Sequence, residues 1–295
     1  MSMTPTNTPS VTSTPASRAD HIRLVVADLD GTLLHDGATF EERFITQQSI
    51  DTIQRVHDAG YRFAIATARP VSTGLAFAQK LPADAVIYLN GALIDFDPTH
   101  SDFELLTGAK PAAEGHLVKI GFASTRACEV CRMFLAEMPT LKIGIVMDDV
   151  RYTNFDVSVY WKTQTWRYTD FSDSDIPAGL ADKITIFPDE AQWKRLETLV
   201  PDDFDVHISE GTMWMLMSPQ ANKEHALRMV CDRFGVSLDQ TVTFGDDTID
   251  IAMMQESGCS VAVANANPAV LDIASEICTS NNDDGVARWL EEHLL

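Results

Sequence analysis

The chain has 295 residues, 45% of them hydrophobic, with 22 basic and 43 acidic side chains and a net charge of −21. That length suits two domains with real cores. The charge disfavours nucleic acid and anionic membrane as partners over most of the surface, so an anionic substrate needs local help from a metal, a lysine or a helix N-terminus.

Residues 1–20, rich in Thr, Ser and Pro without an apolar block, read as a disordered tail. No hydrophobic leader resembles a signal peptide, and no run of about eighteen apolar residues could span a bilayer, so the expected location is cytoplasmic. Residues 22–27 are an apolar run that closes on Asp28-Leu29-Asp30-Gly31-Thr32. This reads as a buried parallel strand delivering its C-terminal edge to an active site. A helical stripe of Ile45, Ile50, Ile53 and Val56 stops at Gly60, and residues 61–67 and 85–89 are strand-like, which completes a βαβαβ unit.

Between residues 92 and 215 the grammar changes. Residues 141–147, the pair Asp148-Asp149 and residues 151–155 form a predicted hairpin; a strand at 183–187, a helix at 190–199 and strands at 206–209 and 213–217 complete an α+β insert. Alternation then returns, with helices predicted at 222–234, 247–257, 268–274 and 286–294 and strands at 241–244 and 260–263. The expected fold is α/β, a Rossmann-like doubly wound parallel sheet formed by residues 21–91 and 216–295, with residues 92–215 as the inserted domain.

Three strand ends carry the chemistry. Asp28 and Asp30 start on one face of their strand, and two crowded carboxylates call for a cation between them or a proton on one. Thr67-Ala68-Arg69 ends the second strand, where a hydroxyl and backbone N–H groups can hold a phosphate. The late strand ends in Gly245-Asp246-Asp247-Thr248-Ile249-Asp250. Three acids in that run exceed the need of an N-cap and, with Asp28 and Asp30, make an oxygen-rich pocket suited to Mg²⁺. Lys223, placed against the dipole of its own helix, is the cation available to a phosphate.

The order Asp-x-Asp-Gly-Thr, Thr-x-Arg, Asn-Lys and Gly-Asp-Asp-x-x-Asp resembles the haloacid dehalogenase superfamily, specifically Cof-type phosphatases with a C2B-type α/β cap; Asn90-Gly91-Ala92 and Asp284-Gly285-Val286-Ala287 fit the same subfamily. The resemblance spans roughly residues 21–295. It implies that Asp28 attacks phosphorus and that Asp30 protonates the leaving oxygen and then deprotonates water. It further implies Mg²⁺ on the Asp28 carboxylate, the Asp30 backbone carbonyl and Asp246, with Asp250 or Asp247 directing its waters, and phosphoryl oxygens on Thr67 and Lys223. Two positions depart from the pattern: Ala68 stands where Gly is usual, and Ile249 where Asn is usual.

The implied activity is Mg²⁺-dependent hydrolysis of small phosphorylated metabolites, sugar phosphates or phosphorylated cofactors. Alternatives are a phosphomutase, a phosphorylation-controlled signalling receiver and a silent metabolite-binding module, the last favoured only by Ile249. Oligomeric state is left open. The five cysteines are odd in number and scattered, which suits a reduced protein, and Cys128 and Cys131 at i, i+3 read as a helix face. His35 reads as a loop residue, while Tyr160, Trp161, Trp166 and Tyr168 read as domain packing. Met213, Met215 and Met217 read as one face of a strand.

Overall fold

The computed structural model describes residues 21–160, 164–172, 174–209 and 213–295. The expected tail and Trp161 lie outside them. β1 (Leu24–Ala27) is buried throughout, as a strand covered on both faces requires. Alternation sorts its side chains: Val25 and Ala27 join Phe63 and Ile65 in one apolar cluster, whereas Leu24 and Val26 join Ala64 and Ala66 in the other.

The chain continues through α1 (Gln47–Asp58), β2 (Arg62–Ala66), α2 (Val71–Ala78) and β3 (Ala85–Tyr88). Thr46 caps α1 by accepting the Ser49 N–H at 3.0 Å. β1, β2 and β3 pair in parallel. β4 (Leu93–Asp95) and β5 (Leu117–Lys119) then add antiparallel strands to the same sheet. The expected start of the insert at residue 92 therefore falls inside the core sheet, which runs on to Lys119. Strands of three residues carry too little alternation to be separated from the hairpin grammar that follows.

Beyond β5 come β6 (Phe122–Ala123), α3 (Ser124–Glu137), β7 (Lys142–Met147), β8 (Val150–Thr153), β9 (Trp166–Tyr168), β10 (Leu180–Ala181), β11 (Lys183–Phe187), α4 (Glu190–Glu197), β12 (Asp205–Ser209) and β13 (Met213–Met217). Six of these strands form a sheet in the order β12-β13-β11-β7-β8-β9, antiparallel except at β8-β9. Ile184, Ile186, Trp214 and Leu216 face α3 and α4 and, with Cys128, Cys131 and Phe134, form a second core. The two cysteines are the helix face that their spacing predicts.

The chain returns through α5 (Lys223–Phe234), β14 (Thr241–Gly245), α6 (Ile251–Glu256), β15 (Cys259–Val263), α7 (Pro268–Ile273), β16 (Glu276–Cys278) and α8 (Gly285–Leu294). The main sheet has the order β16-β15-β14-β1-β2-β3-β4-β5. β1 lies between β14 and β2, where the strand order reverses, so Asp28 leaves the sheet at its topological switch point. Among the described residues, no helix is long and apolar enough to cross a membrane.

The inserted sheet is tied to the core at its β7–β8 turn, where Asp148 and Asp149 take φ of +52° and +63°. This is the hairpin geometry that joins two strands through two residues. Asp149 reaches the N-terminus of α2, accepting from the Ser72 N–H at 2.7 Å and from Ser72 Oγ at 3.2 Å. Lys119, at the end of β5, holds the neighbouring Asp148. Asp149→Ala is expected to free this contact and remove about 1–3 kcal/mol of local stability. Hydrogen exchange should then quicken in the first turn of α2 and in the β7–β8 turn and stay unchanged in β1. Unaltered exchange at α2 would show that the turn is not held there.

Candidate active site

Gly31 turns the chain after β1 with φ of +78°, and a Cβ there would collide with the Asp246 carboxylate. Glycine is thus required where the loops after β1 and β14 meet. Thr32 Oγ1 donates to Asp246 Oδ1 at 2.8 Å, and Asn265 Nδ2 donates to the Gly31 carbonyl at 2.8 Å, which ties the loop after β1 to the loops after β14 and β15.

Asp28, 5% exposed, accepts from Lys223 Nζ at 2.6 Å, and the same ammonium donates to Asp250 Oδ1 at 2.6 Å. Asp250 Oδ2 accepts the N–H groups of Asp246 and Asp247, both at 3.2 Å. Asp250 therefore shapes the turn after β14 while anchoring Lys223. A cation in the first helical turn opposes the dipole by about 0.3–1 kcal/mol. Two contact ion pairs at 2.6 Å, with Asp28 and Asp250, hold the ammonium there against the dipole and the cost of burial.

Oxygens of Asp28, Asp246 and Asp250 lie within 4.8 Å of one another. Burial pushes the Asp28 carboxyl well above the usual carboxylate range against the pull of Lys223, with Asp250, Asp246 and Asp30 adding to the rise. Asp246 is pushed up to about 7, by burial first and then by Asp250. Burial opposes the Lys223 charge, yet Asp250 and Asp28 outweigh it and hold the ammonium above its ordinary value. Three carboxylates sharing one ammonium are short of positive charge, and an oxygen-only donor set of this kind fits a hard divalent cation.

The side chain of Asp30 points elsewhere. Arg69 grips it with two bonds, Nε to Oδ2 at 2.7 Å and Nη2 to Oδ1 at 2.6 Å, and Arg43 adds a third at 2.8 Å. The groups that bond to this carboxylate are cations, while the second acid anticipated from the Asp-x-Asp spacing, Asp28, acts on it only through its charge. Phe40 lies under the Arg69 guanidinium at 4.0 Å, which holds the fork in place. Asp247 is exposed, caps Thr248 N at 2.7 Å and stands apart from the three clustered acids.

Thr67 is fully buried at the end of β2, and its hydroxyl accepts the Arg69 N–H at 3.1 Å. Leu89, Asn90 and Gly91 all take positive φ, and a Cβ on Gly91 would meet the Asn222 carbonyl. The end of β3 thereby packs on the start of α5. Both amide atoms of Asn90 are buried without a hydrogen-bond partner among the described residues. They border a cavity of about 340 Å³ together with Lys223, Thr248 and Ile249.

A larger cavity of about 690 Å³ lies between the two sheets, bordered on the core side by Asp30, Arg69 and Ile249 and on the other by Arg151, Lys183 and Tyr160. Ile249 borders both cavities, putting an apolar side chain where the family pattern has an amide. Met213 and Met215 also face the larger cavity, so their shared strand face is a wall and not only packing. Tyr160 belongs to that wall, stacked on Phe187 at 4.5 Å, whereas Tyr168 is largely exposed. His35 pairs with Asp284 at 3.0 Å and is structural.

Arg43, Arg151 and Lys183 carry no site signal in the sequence, and Asn90 enters there only as part of the run Asn90-Gly91-Ala92. Asn90 carried a signal, a non-glycine residue beside Gly91 at a strand end. The other three belong to the site only through contacts distant in sequence.

The family model of haloacid dehalogenase-like hydrolases matches residues 25–290. The chain belongs to that family. Among relatives of this hydrolase, the 5-amino-6-(5-phospho-D-ribitylamino)uracil phosphatase YitU of Bacillus subtilis is 27% identical over 281 residues, 92% of this chain and 97% of that protein. The phosphatase YbjI of Escherichia coli, named for the same substrate, is 26% identical over 282 residues, 92% of this chain and 96% of that one. In fold it is similar to BT1666 of Bacteroides thetaiotaomicron, with a TM-score of 0.76 at 20% identity over 96% of this chain and 99% of that one. The hydrolase is a phosphatase, acting on phosphoric monoesters.

Proposed function

We propose that this hydrolase removes phosphate from small phosphorylated metabolites, through a covalent phosphate on Asp28 and with Mg²⁺ at the acidic cluster. The observation that carries the reading is Asp28 itself, buried at the switch point of the sheet and held at 2.6 Å by Lys223 beside Asp246 and Asp250. The division we propose is a core that carries these groups and an α+β cap, reaching from the end of β5 to β13, that covers them.

Asp28 forms the bond to phosphorus while the ester oxygen leaves, which splits one displacement into two. Asp30, held by Arg69 and Arg43 at the edge of the larger cavity in the resting protein, must leave that fork and take up a proton before giving it to the leaving oxygen. It then takes a proton from the water that cleaves the acyl phosphate. Lys223 and the Thr67 hydroxyl hold phosphoryl oxygens, and Lys223 keeps Asp28 aimed. Asp28, Asp246 and the Asp30 carbonyl would hold Mg²⁺, with Asp250, the third acid of the cluster, rather than Asp247 directing its waters. Bound there, the ion supplies the positive charge that three carboxylates and a phosphate lack.

Phosphate release from p-nitrophenyl phosphate and a panel of sugar and cofactor phosphates, in EDTA and after adding Mg²⁺, tests the reading. Release should vanish in EDTA and return with Mg²⁺. The ion should also raise the melting temperature, since a ligand at about 100 times its Kd stabilises by about 2.7 kcal/mol. Full release in EDTA would refute the metal requirement.

A further inference from the structure

The cap wall of the larger cavity carries two cations that the chemistry at phosphorus does not use. Lys183 opens β11 and Arg151 lies on β8; they are 4% and 6% exposed. Strand alternation turns Ile184 and Tyr152 into the cap core and these two side chains toward the cavity. The Lys183 ammonium has one hydrogen-bond partner, Met215 Sδ at 3.5 Å, and no carboxylate within 4.0 Å among the described residues. Arg151 Nε donates to Gln164 Oε1 at 3.2 Å, and Gln164 borders the same cavity.

A buried ammonium facing a thioether is poorly compensated, and a second cation beside it makes the deficit worse. Burial first, and then Arg151, lowers the Lys183 ammonium to about 7, although Asp182 and Asp149 pull the other way. In a chain of net charge −21, a cavity wall of this kind stands out against the surface. An anionic group placed in the cavity supplies the countercharge that the Lys183 ammonium lacks among the described residues, with Arg151 beside it as a second donor.

Resting on the phosphatase reading above, we propose that Lys183 and Arg151 bind a second anionic group of the substrate, a carboxylate or a further phosphate, distal to the phosphate that is cleaved. The enzyme then favours phosphomonoesters that carry an added negative charge over neutral-tailed ones of equal length. Tyr160 and Phe187 flank the position with an aromatic face, and Met213 and Met215 line the path beside it.

Matched pairs of substrates test this: 2-phosphoglycolate against ethyl phosphate, 3-phosphoglycerate against glycerol 1-phosphate, 6-phosphogluconate against sorbitol 6-phosphate, and fructose 1,6-bisphosphate against fructose 6-phosphate. In at least one pair the anionic member should have a kcat/KM about tenfold or more above its partner, the scale of one lost charged contact. Lys183→Met, apolar and close in volume, should bring that ratio toward one, chiefly through KM, and should raise the melting temperature. Lys183→Arg should keep the ratio, which separates charge from folding. No preference in any pair, or a Lys183→Met variant that lowers both members alike, overturns the proposal. Phosphate release undiminished in Asp28→Asn would instead overturn the reading beneath it.

Discussion

Asp28→Asn is expected to lower phosphate release by at least about 10³-fold while leaving the fold intact, because an amide of nearly the same shape cannot form the acyl phosphate. The substitution keeps Lys223 paired with Asp250 at the 2.6 Å contact, so the start of α5 stays where it is. It also removes a buried carboxylate that Asp250, Asp246 and Asp30 all repel. The melting temperature in the absence of metal should therefore hold or rise as activity disappears. Steady-state release together with thermal unfolding checks both halves. Near-normal turnover in a folded Asp28→Asn protein would remove Asp28 from the chemistry.

Lys223→Met should damage both stability and activity. The ammonium is 1% exposed and is the shared partner of Asp28 and Asp250. Without it, two buried carboxylates face each other with Asp246 close by. Stripping one partner from a buried ion pair removes about 3–5 kcal/mol, a large part of the stability of an ordinary domain. Urea unfolding should show this loss, and phosphate release should fall by orders of magnitude because the phosphoryl group and Asp28 both lose their cation. Adding Asp250→Asn to Lys223→Met removes one of the stranded charges and should recover part of the stability without recovering activity. A Lys223→Met protein as stable as the parent would mean that the ion pairs are not carrying the packing of α5 on the sheet.

The core was legible because its signals are local. The run before Asp28 is apolar on both faces, and the helices around it carry stripes and stops that one window of sequence contains. The acids after β14 follow a strand that is equally plain, and the two aspartates of the β7–β8 turn mark their hairpin. What the sequence could not supply is contact between distant segments. Nothing near Arg43 says that it bonds to Asp30, and nothing near Asp149 says that it caps a helix 77 positions away through Ser72. Lys183 reads as an ordinary charged strand opening until the sheet turns it inward. The three-residue strands β4 and β5 are set by pairing with β3 and with each other, an interaction of neighbours in space with almost no intrinsic pattern.

Asp30 shows the same limit at the level of chemistry. Its spacing from Asp28 suggests two acids crowding each other, but the turn at Gly31 sends one carboxylate to Lys223 and the other to Arg69 and Arg43. The two aspartates are thereby given different surroundings, a buried ammonium shared with Asp250 for one and a fork of two guanidiniums for the other.

The measurement that tests the central claim most directly is the stereochemical course at phosphorus, using a phosphomonoester made chiral with oxygen isotopes. Two in-line displacements, the first by Asp28 and the second by water, predict overall retention of configuration whether or not the intermediate accumulates. Inversion would mean a single direct attack by water and would contradict the covalent role of Asp28.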